Sequence, residues 1–164
     1  MTRLFYLLVL LFSLNRLAMG KNNNFCYSSF AIEAADRRAL EAVEREGIKT
    51  PYGVAARSAA AEELAARTSV EEGASLYRMG TMGESAAAGG QFRSLEHPLA
   101  AGFAERYGIP AENIANANFI ESATIKPRTP FGTRPAPSVG ANPGGGIEVV
   151  VPSGGVNLNG FHTF

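Results

Sequence analysis

The sequence predicts an α+β protein, with a small domain of short strands and helices at residues 74–164 behind an alanine-rich helical leader at residues 21–73. Three observations predict it. Between Ala31 and Glu72 the chain is dominated by alanine, glutamate and arginine, all strong helix formers. From Ala74 onward glycine, proline, aromatic and β-branched residues rise, and the apolar runs become short. Near the end, Ile147-Glu148-Val149-Val150-Val151 reads as a buried strand. A length of 164 residues suits one ordinary domain plus an appendage, and a hydrophobic content of 46% supplies a core, although much of it is alanine.

The elements follow in order. Met1–Gly20 has the layout of a secretory signal peptide: Arg3 is a basic start, Leu4 to Phe12 an unbroken apolar run too short to span a bilayer, and Ala18-Met19-Gly20 a small-residue cleavage site. It predicts a secreted protein. Lys21 to Ser29 is polar and asparagine-rich and reads as a flexible leader. Ala31 to Glu46 predicts a helix ended by Gly47, and Ala55 to Glu72 a second ended by Gly73. Because the apolar content of the second is nearly all alanine, the pair reads as a tether outside the active core. Leu76 to Met79 and Gln91 to Ser94 predict strands. Pro98 to Tyr107 predicts a helix with proline in its first turn and Gly108 at its end. Pro110 to Asn116 adds a helical turn, and Phe119 to Lys126 alternates as a strand does. Pro127 to Pro143 lacks periodicity and reads as a long loop. Strands at Ile147 to Val151 and Val156 to Phe164 complete the chain.

Charge and cysteine content narrow the function classes. The formal net charge is zero, so no global basic field favours nucleic acid or an anionic membrane. Cys26 is the only cysteine, which excludes an internal disulfide and a cysteine-based zinc site; His97 and His162 have no metal-ligand spacing.

Three strands carry groups suited to chemistry. Arg78 stands beside Gly80 on the first, Arg93 and Ser94 on the second and Glu148 on the third, behind the glycine run Gly144-Gly145-Gly146. Arginine keeps its charge and matches phosphate oxygens with a planar fork, so Arg78 is a candidate anion anchor that Arg93 could supplement. A serine hydroxyl at Ser94 can hold a neighbouring carboxylate or a ribose. A carboxylate on a valine strand is costly to bury unless it is paired or used, which makes Glu148 a candidate site residue. Plainer readings stand beside these: Arg78 packed on Tyr77, Ser94 as a cap ahead of the Pro98 helix, Glu148 as an edge-strand charge.

Leu76-Tyr77-Arg78-Met79-Gly80, Phe92-Arg93-Ser94-Leu95-Glu96-His97-Pro98, Ala101-Gly102-Phe103-Ala104 and Gly145-Gly146-Ile147-Glu148 together resemble the Arg–Ser–Glu layout of the ADP-ribosyltransferase superfamily. The segment from Pro137 to Glu148 also resembles the NAD-glycohydrolase necrotizing-toxin family, which carries a Pro-Gly-Gly-Gly-x-Gln run. The resemblance covers about the last 90 residues. It implies a split antiparallel sheet with NAD, as substrate, in a cleft. It makes Glu148 and Ser94 catalytic, Arg78 and Gly80 part of the NAD-binding strand, and Phe92, Phe103 and Tyr107 candidates to stack on nicotinamide. It further implies a toxin, with a protein or other acceptor for ADP-ribose and a neutralising immunity protein as partners, and no metal. An oxocarbenium-like transition state needs such a carboxylate, and nicotinamide leaves as a neutral group without metal assistance.

The departures shape the expectation. Ser94 stands where the transferases carry a Ser-Thr-Ser run, Gly146 occupies the place where many protein-modifying members carry a Glu or Gln two before the catalytic glutamate, and Glu148 replaces the glutamine of the glycohydrolase toxins. These shift the expectation from arginine modification towards NAD hydrolysis or another acceptor. Two further classes are weighed: a metal-independent ribonuclease toxin using His97 or His162, and a non-enzymatic secreted binding module in which the glycine run only makes a turn.

Overall fold

The computed structural model describes residues 23–85 and 89–164, so the signal-like segment Met1–Gly20 lies outside the described residues. The chain is α+β, and a compact unit spans Arg38–Phe164. Helix α1, Asn23–Glu46, precedes and enters that unit, and begins within the asparagine-rich stretch expected as flexible leader. Gly47 ends it at φ 77°, its N–H donating to the Val43 carbonyl at 3.0 Å, the left-handed helix stop that glycine adopts without strain.

A two-stranded hairpin follows, β1 (Ile48–Thr50) and β2 (Gly53–Ala55), turning at Pro51-Tyr52. Helix α2, Ala61–Glu71, closes with a paired stop: the Ala74 N–H reaches the Ser69 carbonyl and the Gly73 N–H the Val70 carbonyl, both at 3.0 Å. Glu63, Ala66 and Val70 are buried at spacings of one helical face.

The main sheet has the order β6-β7-β4-β3-β5-β8, with every neighbouring pair antiparallel. Its strands are β3 (Leu76–Gly80), β4 (Phe92–Ser94), β5 (Phe119–Ile125), β6 (Gly132–Pro135), β7 (Ile147–Val150) and β8 (Val156–Thr163). Between β4 and β5 lie two short helices, α3 (Phe103–Arg106) and α4 (Ala111–Asn116). The registers are long within β6-β7-β4 and within β3-β5-β8, whereas β3 and β4 meet at a single pair, Tyr77 with Ser94. Two three-stranded halves therefore diverge from one seam.

Three expectations are corrected. The stretch from Ala55 to Glu72 is no tether: Ile48, Ala55 and Val70 join Leu76, Ala123, Phe131, Val149, Val150, Val151 and Val156 in the core, and the compact unit starts well before Ala74. Alanine suffices there because α2 lies close to the sheet, where the Thr133 hydroxyl donates to the Glu63 carbonyl at 2.7 Å. The expected helix from Pro98 shrinks to Phe103–Arg106, because Gly102 at φ 71° interrupts it and the preceding residues form tighter turns. The expected loop from Pro127 to Pro143 contains β6, which pairs from Gly132 opposite Val150 to Pro135 opposite Ile147. Strand formation there comes from the partner, not from propensity.

Val70 tests the enlarged core. It is fully buried, so Val70→Ala removes two methyl groups from packing and lowers unfolding stability by about 2 kcal/mol in chemical denaturation. A tether helix would show no such loss.

Candidate functional site

A cavity of about 640 Å³ opens where the two halves of the sheet diverge. This is the size of a small-molecule or cofactor pocket. All seven candidate residues line it: Arg78, Gly80, Phe92, Ser94, Phe103, Tyr107 and Glu148. They reach it from opposite faces of the strands.

One face carries a row across three strand pairs. Tyr77 stands opposite Ser94, Ser94 opposite Glu148, and Glu148 opposite Arg134. Residues directly opposite share a face, and here Arg134 Nε donates to Glu148 Oε1 at 2.7 Å. Burial pushes the Glu148 carboxyl above its ordinary range, and the Arg134 hydrogen bond and charge pull it back. Only 9% of the Glu148 side chain is exposed, so its ionised form depends on that partner. The Ser94 hydroxyl donates to the Glu96 carbonyl at 2.6 Å, closing the turn after β4, so its proton is directed away from Glu148. What it offers beside the carboxylate is lone pairs.

The aromatic residues flank this row. Phe103 and Tyr107 stack at 4.5 Å with 28° between planes. The Tyr107 hydroxyl donates to the Ile147 carbonyl at 3.4 Å, and burial raises its pKa to about 12, which keeps it a neutral phenol. The glycine run fixes this arrangement. The Gly144 N–H reaches the Glu105 carbonyl at 3.0 Å and the Gly146 N–H the Arg106 carbonyl at 2.7 Å, so the loop lies directly against the end of α3. A Cβ on Gly144 would collide with the Ala136–Pro137 backbone, and one on Gly146 would sit 3.1 Å from the Tyr107 ring. The glycines thus allow close approach to the protein's own helix. An Arg106–Glu96 ion pair ties the same helix to the turn after β4.

The opposite face carries a buried charge cluster. Glu121 on β5, fully buried, accepts from Arg78 Nε at 3.0 Å and from Arg93 Nη2 at 2.7 Å. Arg93 has no exposed side-chain surface, and burial lowers its guanidinium from the ordinary value while Glu121 opposes the shift. The Arg78 guanidinium lies 5.5 Å from the Phe119 ring centre and over Gly90, where any Cβ would collide with it. Arg78 Nη2 is buried with no hydrogen-bond partner among the described residues. A cavity-lining N–H in that state suits an incoming phosphate or ribose oxygen.

Glu121 and Arg134 escaped the sequence reading. Glu121 had a signal, since it interrupts the apolar side of an alternating strand; Arg134 had none, because its partner is set by the register of β6 on β7. The histidines do not line the cavity. His97 meets Tyr77 edge-on at 5.0 Å, its Nδ1 accepting from the Leu99 N–H, and His162 lies opposite Ile120 on β8. No family model, curated protein or solved structure matches the chain.

Two stability measurements probe the charged groups. Glu121→Ala removes the carboxylate shared by two buried guanidiniums and costs about 3–5 kcal/mol, whereas Glu121→Gln, which keeps an acceptor, costs less. For Glu148 the sign runs the other way from an ordinary ion-paired carboxylate. Its folded form holds the proton more tightly than the unfolded chain does, so its contribution is full below the unfolded carboxylate pKa and is lost as pH rises through the raised folded value. Glu148→Gln removes this dependence, and denaturation from acid to neutral pH shows the variant gaining on the parent as pH rises.

Proposed function

We propose that the chain is an NAD-consuming toxin-type enzyme that splits the bond between nicotinamide and ribose. The observation that carries the reading is Glu148: a nearly buried carboxylate, held by Arg134, facing a cavity between stacked aromatic rings and an arginine with an unmatched N–H. As the C1′–N bond breaks, its electron pair leaves with the nicotinamide nitrogen, and positive charge develops on the ribose. Glu148, with only 9% of its side chain exposed, supplies the opposing charge from a largely desolvated position, where it counts for more than in solution. Arg78 Nη2 offers a hydrogen bond to a phosphate or ribose oxygen. Phe103 and Tyr107 present a flat apolar surface to the departing ring, and Tyr107, being neutral, does not compete for the cation. Water then adds at C1′ and loses a proton, giving ADP-ribose; another acceptor in its place gives ADP-ribosylation. Glycine at position 146, where many protein-modifying transferases carry a Glu or Gln, favours hydrolysis or a non-arginine acceptor. A secreted enzyme of this kind would deplete NAD in its producer too, so a neutralising partner protein belongs to the proposal.

The test is nicotinamide release from NAD by the purified full chain. Glu148→Gln lowers release about 10²–10³-fold while circular dichroism stays unchanged. Arg134→Gln removes the charge that holds Glu148 ionised, and the acid limb of the kcat/KM profile moves to higher pH. Absence of release from folded protein, with or without cell lysate as a source of acceptors, overturns the reading.

A further inference from the structure

The β1–β2 hairpin places a tyrosine at the cavity where nothing in the hairpin's own packing calls for one. Tyr52 is 89% exposed and lines the cavity. A large aromatic ring left in water gives up the burial that usually justifies it. The turn fixes the backbone that carries it: the Thr50 hydroxyl donates to the Gly53 carbonyl at 2.8 Å and accepts from the Tyr52 N–H at 3.2 Å. The Gln91 side chain, next to Phe92, donates to the Lys49 carbonyl at 2.9 Å and ties the hairpin to β4.

Tyr52 lies against Phe92, which also lines the cavity, with ring centres 5.9 Å apart and planes inclined at 43°. The rings are in tilted contact, too close for a third ring between them, and together they offer one aromatic surface to the cavity. Phe92 shares a strand face with Ser94 two residues away, so it lies about 7 Å from the Ser94–Glu148 row. The direction of that offset matters. Phe92 stands opposite Val150, whereas Tyr107 contacts Ile147, on the other side of Glu148. The carboxylate thus lies between two aromatic seats.

A dinucleotide has two planar rings. If the bond at Glu148 is nicotinamide–ribose, the Phe103–Tyr107 seat takes nicotinamide and the second seat is left for the other ring. The geometry points to Tyr52 and Phe92 as the seat of the substrate's purine. This assignment rests on the NAD reading for the identity of the substrate, but it is measurable without turnover. It brings residues ahead of Ala74 into the binding site and gives the exposed ring its use.

The chain contains no tryptophan, so Tyr52→Trp introduces a single indole reporter at an exposed position. Adenosine diphosphate is expected to quench this indole saturably, and nicotinamide mononucleotide, which lacks the purine, to do so far more weakly. In parallel, Tyr52→Ala lowers kcat/KM for NAD about tenfold, chiefly through KM, and Tyr52→Phe restores it. Quenching by adenosine diphosphate in a protein that releases no nicotinamide would support the purine seat while refuting NAD cleavage. No quenching by adenosine diphosphate, or equal quenching by the two nucleotides, overturns the seat whether or not nicotinamide is released.

Discussion

Everything around the cavity depends on how the two halves of the sheet are held together. Backbone pairing across the seam amounts to Tyr77 opposite Ser94, and beyond it the strands part. Glu121 makes up for the missing ladder. It sits on β5 in one half, accepts from Arg78 in the same half, and accepts from Arg93 on β4 in the other. A fully buried carboxylate shared by two guanidiniums is an expensive joint, since each charge loses its hydration. It is also a specific one: sliding β4 against β3 would strand charges in the core, which an apolar contact would not penalise as sharply. The opening between the halves is therefore a built feature of fixed width at its base.

The same division separates two kinds of charge. Arg78, Arg93 and Glu121 occupy the face that continues into the apolar core, while Glu148 and Arg134 occupy the face towards α3 and the hairpin. Adjacent residues on one strand, such as Arg93 and Ser94, therefore serve different neighbourhoods, and only the parting of the strands lets both reach one cavity. On the Glu148 face the ion pair is isolated and partly open, with the Arg134 side chain 26% exposed, so the carboxylate can exchange its partner's attention for a ligand's. The buried joint has no such freedom.

The parts of this arrangement written in local pattern were legible in the sequence. The strands at Leu76, Phe119, Ile147 and Val156 declare themselves by alternation or by β-branched runs, and the α+β class follows from them. The candidate residues on those strands share a cavity because the antiparallel order brings their strands together. What was not legible depends on partners remote in sequence. The hairpin strands, Ile-Lys-Thr and Gly-Val-Ala, and β6, Gly-Thr-Arg-Pro, are three or four residues long, too short to show a periodicity of their own. Arg134 and Tyr52 belong to those segments, so their relation to Glu148 and Phe92 appears only once the register is known. Helix α2 misled for a related reason: alanine looks like a weak core former in sequence, but it is what a helix lying close on a sheet requires.

The close fit of α3 against the glycine run has a consequence for how this protein can vary. Loops usually drift fastest and cores slowest. Here the order is partly reversed. A Cβ on Gly144 would strike the Ala136–Pro137 backbone, one on Gly90 would displace the Arg78 guanidinium, and one on Gly146 would press on the Tyr107 ring. Exposed positions of α2 such as Glu62 and Leu64 carry no such constraint. Descendants of this chain should therefore look most alike in the stretches that resemble filler, and a conserved scatter of glycines with a divergent helical surface is the pattern its architecture leaves to inheritance.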